Sequence, residues 1–267
     1  MGNKPVVEPW QSDCMTHVKR IWRYPSLCLL CLVIQSHNRV YAEEFRTGSF
    51  SIELPAHEVF DDAEAQKFDH FLSRDKLITW EVHVPENYQP ERAAGVLTYI
   101  SPTRSGVIPQ DWKPLISERN LIWVGANRTG NGQPIEKRST YAVLGAELIS
   151  EMYMVDRERI YVTGFSGGGR MASMVVLEFP ELFKGAIFIC GVNFWIEKPR
   201  QMELTKRNRY VFLTGTNDFN YQDTRNVYSR FRKAGIPNIK FLGITGMGHR
   251  LPTARRYGQA IAYLDAE

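Results

Sequence analysis

Several features that define other classes of protein are missing from this sequence of 267 residues. Basic and acidic residues nearly balance, at 33 and 29, so the chain lacks the strong positive charge of a nucleic-acid-binding protein. Internal repeats and low-complexity tracts are absent, and 43% of the residues are hydrophobic, which excludes collagen, coiled coils and disordered chains. What remains is a globular protein large enough to bury its own core.

Metal and cofactor motifs are also missing. The histidines and cysteines do not have the spacings typical of zinc ligands. The glycine-rich residues 164–170 (GFSGGGR) have neither the Lys-Ser/Thr ending of a phosphate-binding loop nor the G-x-G-x-x-G pattern of a dinucleotide site. The sequence therefore predicts no metal site and no cofactor.

The amino-terminal segment is typical of a secretory signal peptide. It contains a basic region, an apolar run at residues 27–34, and small residues at the −3 and −1 positions of a cleavage site (Lys19, Arg20, Arg23; Val40, Ala42). A membrane anchor is the alternative, but this run is much shorter than the ~20 residues that span hydrocarbon. We expect residues 1–42 to be removed, with Met15 as a possible true start, and no stable membrane insertion afterwards.

Removal of this segment leaves residues 43–267, which we expect to form one secreted or periplasmic domain. Cys14, Cys28 and Cys31 leave with the segment, so Cys190 is the single remaining cysteine. One cysteine cannot form an internal disulfide. Cys190 ends an apolar run, which favours a buried, hydrophobic role for it.

The remaining chain alternates short apolar runs with amphipathic stretches of helical length, which predicts an α/β protein with a parallel sheet. Seven strands are predicted, at residues 77–84, 95–100, 121–125, 160–163, 186–190, 210–214 and 239–244. Four helices are predicted between or after them, at residues 141–154, 169–178, 223–234 and 253–264. The continuous apolar character of most of these strands indicates that both faces of the sheet are covered.

A Gly-x-Ser-x-Gly motif at Gly164, Ser166 and Gly168 lies between a predicted strand and a predicted helix. That context is the one required of a nucleophile elbow, in which a tight turn exposes the serine. Glycines flank the serine because side chains there would collide with the turn. The first N–H groups of the helix point at a developing oxyanion. We therefore predict Ser166 as the nucleophile and Gly167 as the first oxyanion donor.

A serine nucleophile needs a base, and His249 is the best candidate. The other histidines after residue 42 (His57, His70, His83) precede the parallel core or lie in an early strand, so surface or packing roles are expected for them. His249 follows the last predicted strand, and the order serine, acid, histidine along the chain is that of an α/β-hydrolase.

The acid that orients this histidine is predicted to be Asp218, directly after the strand at residues 210–214. A turn or helix-capping role is the structural alternative for Asp218. Asp223 is a competing candidate, although its place at the start of the next helix favours an N-cap.

These motifs together resemble the α/β-hydrolase superfamily, and within it the secreted polyhydroxybutyrate depolymerases and feruloyl esterases. The likeness is closest in residues 155–168 (VDRERIYVTGFSGG), while residues 215–218 (GTND) and 246–249 (GMGH) lie where that family has its acid and its histidine. The resemblance implies an α/β-hydrolase fold, a mostly parallel sheet flanked by helices. It also implies an ester substrate.

The sequence departs from that family at the second oxyanion donor. The family usually has a His-Gly pair after its third strand, whereas this chain has residues 100–106 (ISPTRSG). Pro102 has no N–H. Thr103 is therefore the predicted second donor, with Ser101 and Arg104 as weaker alternatives.

Two further segments are expected near the substrate. Residues 191–209 are too few to form a large cap domain. Trp195 within them is a candidate to border a binding groove, with surface exposure or core packing as the alternative. Residues 125–132 follow a strand and should face the same edge of the sheet, which makes Asn127 and Arg128 candidate substrate contacts.

The sequence thus predicts an exported serine carboxylic-ester hydrolase with a Ser-His-Asp triad and an acyl-enzyme intermediate. An open site favours bulky, aromatic or polymeric esters over long-chain lipids. Two alternatives remain: a serine peptidase with the same triad, and a catalytically silent binding protein that keeps the fold.

Overall fold

The computed structural model describes residues 45–55, 58, 77–193 and 202–266. Residues 44–53 and 78–267 form one compact unit, which contains the sheet and the site described below. In the other unit, residues 1–43 and 54–77, few residues are described. The predicted signal peptide and Trp195 lie outside the described residues.

Within the described residues, eight strands form one sheet in the order β1-β2-β4-β3-β5-β6-β7-β8. The strands are β1 (Gly48–Pro55), β2 (Leu77–Val84), β3 (Ala94–Ile100), β4 (Leu121–Ala126), β5 (Val155–Phe165), β6 (Gly185–Ile189), β7 (Arg209–Gly215) and β8 (Ile239–Ile244). β2 pairs antiparallel with β4, whereas every neighbouring pair from β4 to β8 is parallel. The predicted mostly parallel sheet is confirmed.

Six α-helices are present in the described part of the chain. They are α1 (Lys113–Glu118), α2 (Ile135–Met152), α3 (Gly167–Glu178), α4 (Met202–Arg207), α5 (Tyr221–Lys233) and α6 (Ala254–Leu264). The four predicted helices correspond to α2, α3, α5 and α6, although α2 starts six residues earlier than its predicted start at residue 141. None of the helices in the described ranges is long and apolar enough to cross a membrane.

The parallel strands bury both faces, as their continuous apolar sequences predict. Every residue of β3, β4 and β6 is buried. Large aromatic side chains fill the space between the sheet and its helices, including a stacked pair of Trp112 and Tyr257 with ring centroids 3.9 Å apart. At one edge, β8 is only half-buried along its length.

The strand register aligns the carboxyl ends of the central strands. Ile100 at the end of β3 lies beside Gly164 in β5, and Phe165 at the end of β5 lies beside Ile189 in β6. In an open parallel sheet, ligands bind at the carboxyl ends of the strands. The loops after β3, β4, β5, β6, β7 and β8 therefore meet at one edge, and the candidate site lies there.

Candidate active site

Ser166 occupies a sharp turn between β5 and α3. Its backbone angles, φ 55° and ψ −119°, lie in a region that residues with side chains rarely adopt. Its N–H donates to the carbonyl of Ile189 at 2.8 Å, which fixes the turn to the neighbouring strand. A non-glycine residue held in such a conformation costs about 1–3 kcal/mol and persists where the surrounding structure enforces it.

The glycines on either side of Ser166 are required by close backbone contacts. A Cβ at Gly164 would overlap the backbone carbonyl of Gly168, and a Cβ at Gly168 would overlap the carbonyl oxygen of Ile100. The start of α3 is therefore pressed against the ends of β3 and β5. This packing explains in physical terms why the motif needs glycine at both positions.

A continuous chain of hydrogen bonds connects Ser166, His249 and Asp218. Ser166 Oγ lies 2.9 Å from His249 Nε2, and His249 Nδ1 lies 2.9 Å from Asp218 Oδ1. Because the carboxylate only accepts, Nδ1 carries the proton and the lone pair of Nε2 faces the serine hydroxyl. The three side chains that the sequence pairs with one another thus meet in the structure.

The loops that carry Asp218 and His249 are bonded to each other. Asn217 N donates to the carbonyl of Met247 at 3.0 Å, and Gly246 N donates to Thr216 Oγ1 at 2.9 Å. Gly246 has φ 73°, a left-handed conformation that glycine adopts without strain. These contacts bring the end of β8 back toward β7 and set the position of the imidazole.

The carboxylate of Asp218 is fully buried, and protein groups donate several hydrogen bonds to it. Its oxygens accept hydrogen bonds from Thr214 Oγ1 at 3.0 Å and from the Asn220 N–H at 2.9 Å, besides His249. Burial alone would raise the pKa of the Asp218 carboxyl, but the hydrogen bonds from Cys190, Asn220, His249 and Thr214 outweigh it. The net pKa lies below the ordinary value, so Asp218 is charged at neutral pH.

Cys190 lies beside this carboxylate at the end of β6. It is fully buried, and its φ of 53° is unusual for a residue with a side chain. Burial, together with the neighbouring Asp218, raises the pKa of its thiol to about 12. Ligand atoms of Cys190, Asp218 and His249 lie within 4.8 Å of one another, and both Cys190 and His249 are hydrogen-bond partners of the Asp218 carboxylate.

Two aromatic side chains contact the imidazole of His249. Phe165, the last residue of β5, has its ring centroid 5.0 Å from that of His249. Phe219, directly after Asp218, is closer at 4.2 Å and is 76% exposed. An exposed aromatic ring at this place is a surface on which a substrate can pack. Phe219 carried no recognisable signal in the sequence.

The first helical N–H groups of α3 face the same region. Gly167 opens the helix, so its N–H has no acceptor within the helix. The predicted second donor, Thr103, is placed differently from expectation, because its N–H donates to Ser101 Oγ at 3.1 Å. The alternative donor Ser101 is buried.

The predicted substrate contacts Asn127 and Arg128 lie in the loop after β4, at the expected edge. The Asn127 side chain is engaged at both ends: it accepts from Gly106 N at 2.9 Å and donates to Glu81 at 2.6 Å. Arg128 is exposed, and its backbone N–H donates to the carbonyl of Arg104 at 2.7 Å. Asn127 thus joins two loops, whereas the Arg128 side chain is open to solvent.

Arg138, near the start of α2, donates hydrogen bonds to the loops after β3 and β4. Its guanidinium donates to the carbonyl of Thr129 at 2.7 Å and to that of Ser101 at 3.0 Å. Arg138 is 7% exposed, and burial lowers its pKa. The loops after β3 and β4 are therefore joined into one wall of the site.

A sequence profile of the prolyl oligopeptidase family matches residues 128–247. No curated protein sequence matches the chain.

Solved structures with the same fold include esterases and peptidases, all at low identity. A feruloyl esterase module from Clostridium thermocellum, in complex with sinapinate, is 13% identical with a TM-score of 0.58, covering 81% of this chain and 88% of that one. An S-formylglutathione hydrolase from Staphylococcus aureus is 14% identical with a TM-score of 0.55, covering 82% and 96%. Dipeptidyl peptidase 4 from Porphyromonas gingivalis is 16% identical with a TM-score of 0.55, covering 71% and 33%.

The chain therefore spans about a third of the length of the Porphyromonas peptidase, and 35% of a similar Bacteroides ovatus structure. The sheet topology, the serine turn and these similarities show an α/β-hydrolase fold.

Proposed function

We propose that this protein is a carboxylic-ester hydrolase that acts through an acyl-enzyme on Ser166. The observation that carries the proposal is the hydrogen-bonded series from Ser166 Oγ through His249 to Asp218, with both distances at 2.9 Å. This is the geometry of nucleophile, base and orienting acid.

In the acylation step, Ser166 Oγ attacks the carbonyl carbon of the ester while His249 Nε2 takes the hydroxyl proton. The π electrons of the carbonyl move onto its oxygen, which becomes an oxyanion beside the Gly167 N–H. When the oxyanion collapses, the bond from carbon to the alcohol oxygen breaks, and that oxygen takes the proton from His249. The alcohol leaves and the acyl group remains on Ser166.

In the deacylation step, water repeats the same chemistry. His249 takes a proton from water while the water oxygen attacks the acyl carbon, and a second oxyanion forms. Collapse breaks the bond to Ser166 Oγ, which recovers the proton from His249, and the carboxylic acid leaves. Asp218 remains charged throughout, holding the imidazole in one tautomer and stabilising the imidazolium that forms in each step.

Coverage by the solved structures favours an ester over a peptide substrate. The esterase structures are matched over 88% and 96% of their own length, as catalytic units of similar size to this chain. The dipeptidyl peptidase is matched over 33% of its own length. The profile match to the prolyl oligopeptidase family is the specific observation in favour of the alternative, a serine peptidase.

Covalent labelling and a paired substrate panel test the proposal. A fluorophosphonate should modify Ser166 in the wild type, detected on the peptide that contains it, and should not modify Ser166→Ala. p-Nitrophenyl esters should be hydrolysed with kcat/KM far above that for peptide p-nitroanilides. Faster cleavage of the anilides would establish the peptidase, and failure to label would establish a silent binding protein.

Export belongs to the same proposal and rests on the signal-peptide pattern of residues 1–42. Amino-terminal sequencing of protein from the native host should begin at or near Glu43, in the periplasm or the medium. Cytoplasmic protein that begins at Met1 or Met15 would contradict export.

The substrates we propose are short or aromatic acyl esters of large alcohols, or polymeric esters. Few residues separate β6 from β7, leaving little chain to cover Ser166. An open site offers less apolar burial to a long acyl chain but admits a bulky substrate. kcat/KM should fall from C2 toward C16 acyl chains and should be high for feruloyl or acetylated sugar esters. A steady rise toward C16 would contradict this assignment.

A further inference from the structure

Three backbone amides of the loop that should supply a second oxyanion donor, including that of the predicted donor Thr103, already donate to other groups. The Thr103 N–H donates to Ser101 Oγ, the Ser105 N–H to Thr103 Oγ1 at 3.4 Å, and the Gly106 N–H to Asn127 Oδ1. Pro102 has no N–H. A hole with only the Gly167 N–H would lack a donor that typically contributes 10²–10³ in kcat.

A free side-chain amide lies next to Gly167. A Cβ on Gly167 would overlap the Oδ1 of Asn131 and would stand 2.8 Å from its Nδ2. The carboxamide of Asn131 therefore occupies the place that a side chain at residue 167 would take, directly against the backbone of the first oxyanion donor. It has no hydrogen-bond partner among the described residues.

The backbone holds Asn131 at this place. Its N–H donates to the carbonyl of Pro102 at 2.8 Å, and a Cβ on the preceding Gly130 would meet the backbone of Thr103 at 2.6 Å. Arg138 fixes the same two loops through the carbonyls of Thr129 and Ser101. A primary amide offers two N–H donors, and rotation of its terminal torsion directs either face of the amide toward the site.

We propose that the side-chain amide of Asn131 is the second hydrogen-bond donor to the oxyanion, in place of a backbone N–H from the loop after β3. This assignment rests on the proposed serine hydrolase mechanism. It also gives a reason for glycine at residue 167, since a side chain there would displace the amide that completes the hole.

Kinetic comparison of Asn131 variants tests the assignment. Asn131→Ala should lower kcat for p-nitrophenyl acetate by about 10²–10³ and leave KM within about twofold, because the bond forms mainly in the transition state. Asn131→Asp should be at least as slow, since it keeps the shape but replaces the donor by a negative charge. Gln133→Ala is the matched control on the same loop, where the exposed side chain binds Lys137, and should stay near wild type.

Two further measurements separate a donor from a structural role. Affinity for a trifluoromethyl ketone, which forms a tetrahedral oxyanion on the serine, should fall in Asn131→Ala by the same factor as kcat/KM, with an unchanged melting temperature. Gly167→Ala should lose a similar factor, and the double variant Gly167→Ala/Asn131→Ala should lose no more than either single one.

The outcomes of these experiments test the Asn131 assignment separately from the proposed serine hydrolase function. If wild-type Ser166 is neither labelled by a fluorophosphonate nor active on esters, the function and the donor assignment both fail. If the wild type labels and hydrolyses normally while Asn131→Ala stays within threefold of it in kcat and in ketone affinity, the donor assignment alone is overturned. A loss in Asn131→Ala that is confined to KM, or matched by Gln133→Ala, also overturns it.

Discussion

Phe219 lies against the imidazole of His249, with ring centroids 4.2 Å apart and ring planes inclined by 32°. The side chain is 76% exposed although it follows the buried Asp218 directly in sequence. The ring thus covers the base from the solvent side while the acid orients it from within. A large apolar group in this position restricts rotation of the imidazole and offers a packing surface for substrate.

Phe219→Ala should therefore lower kcat/KM by up to about tenfold, since aromatic contacts of this kind contribute about 0.5–1.5 kcal/mol. The loss should be larger for an aromatic acyl ester than for an acetyl ester. Phe219→Tyr keeps the ring and serves as the control. Equal kinetics for the alanine variant on both esters would show that the ring contributes neither orientation nor substrate contact.

Substitution of the two candidate acids should give very different results. Asp218→Asn removes the charge that holds the His249 tautomer and should reduce kcat by about 10⁴-fold, as in other triads. Asp223 is exposed in the first turn of α5, so Asp223→Asn should stay close to wild type. Steady-state kinetics on one ester decides, and the reverse pattern would move the acid assignment to Asp223.

The lowered pKa of Asp218 also predicts how stability depends on pH. A carboxyl whose folded-state pKa is depressed stabilises the fold above its ordinary pKa of 3.8, and this contribution is lost as the pH falls through the folded-state value. The melting temperature of the wild type should thus exceed that of Asp218→Asn at pH 7, and this difference should narrow below pH 4. A difference of constant size would mean that the charge of Asp218 does not stabilise the fold.

Arg138→Met should destabilise the protein through the carbonyls of Ser101 and Thr129. Each carbonyl would lose its donor in a buried place, at about 1–3 kcal/mol, and the two losses together should lower the melting temperature by roughly 4–24 °C. Arg138→Lys should recover only part of the lost stability, because one ammonium lacks the planar guanidinium geometry that reaches two carbonyls. Arg255→Met, at an exposed position of α6, is the control for loss of a positive charge. A melting temperature of Arg138→Met equal to that of the control variant would contradict this role.

The thiol of Cys190 should resist modification in the folded protein. Its pKa is raised to about 12, so the protonated thiol stabilises the fold below pH 9, and that contribution is lost as the pH rises from 9 to 12. Iodoacetamide at pH 8 should leave the peptide that contains Cys190 unmodified in native protein and alkylate it after denaturation. Mass spectrometry reads both, and native alkylation at the rate of a free thiol would contradict the burial.

The sequence was sufficient for the fold and for the elements that carry the candidate triad. Parallel strands leave their carboxyl ends at one edge, so Ser166, Asp218 and His249 could be placed together from strand positions alone. The sequence does not predict β1, α1 or α4, since a polar alternating edge strand and helices of six residues carry weak periodicity.

The surroundings of the site could not be read in the same way. Whether the Thr103 N–H is free depends on the rotamer of Ser101, and the placement of Asn131 depends on how two loops pack across more than 25 residues of sequence. Phe219 reaches His249 only because the loops after β7 and β8 are bonded together. Such contacts arise from tertiary packing, which no local pattern encodes.

The half-buried edge position of β8 affects the order in which activity and folded structure are lost in denaturant. The nucleophile is anchored between β3 and β6 in the middle of the sheet, whereas the base follows the outermost strand. Edge regions open locally at a lower free-energy cost than central strands. In a urea titration, hydrolysis should therefore decline at lower urea than the far-ultraviolet circular dichroism of the sheet. Early in that titration, the molecule is still folded but has already separated its proton acceptor from its attacking oxygen.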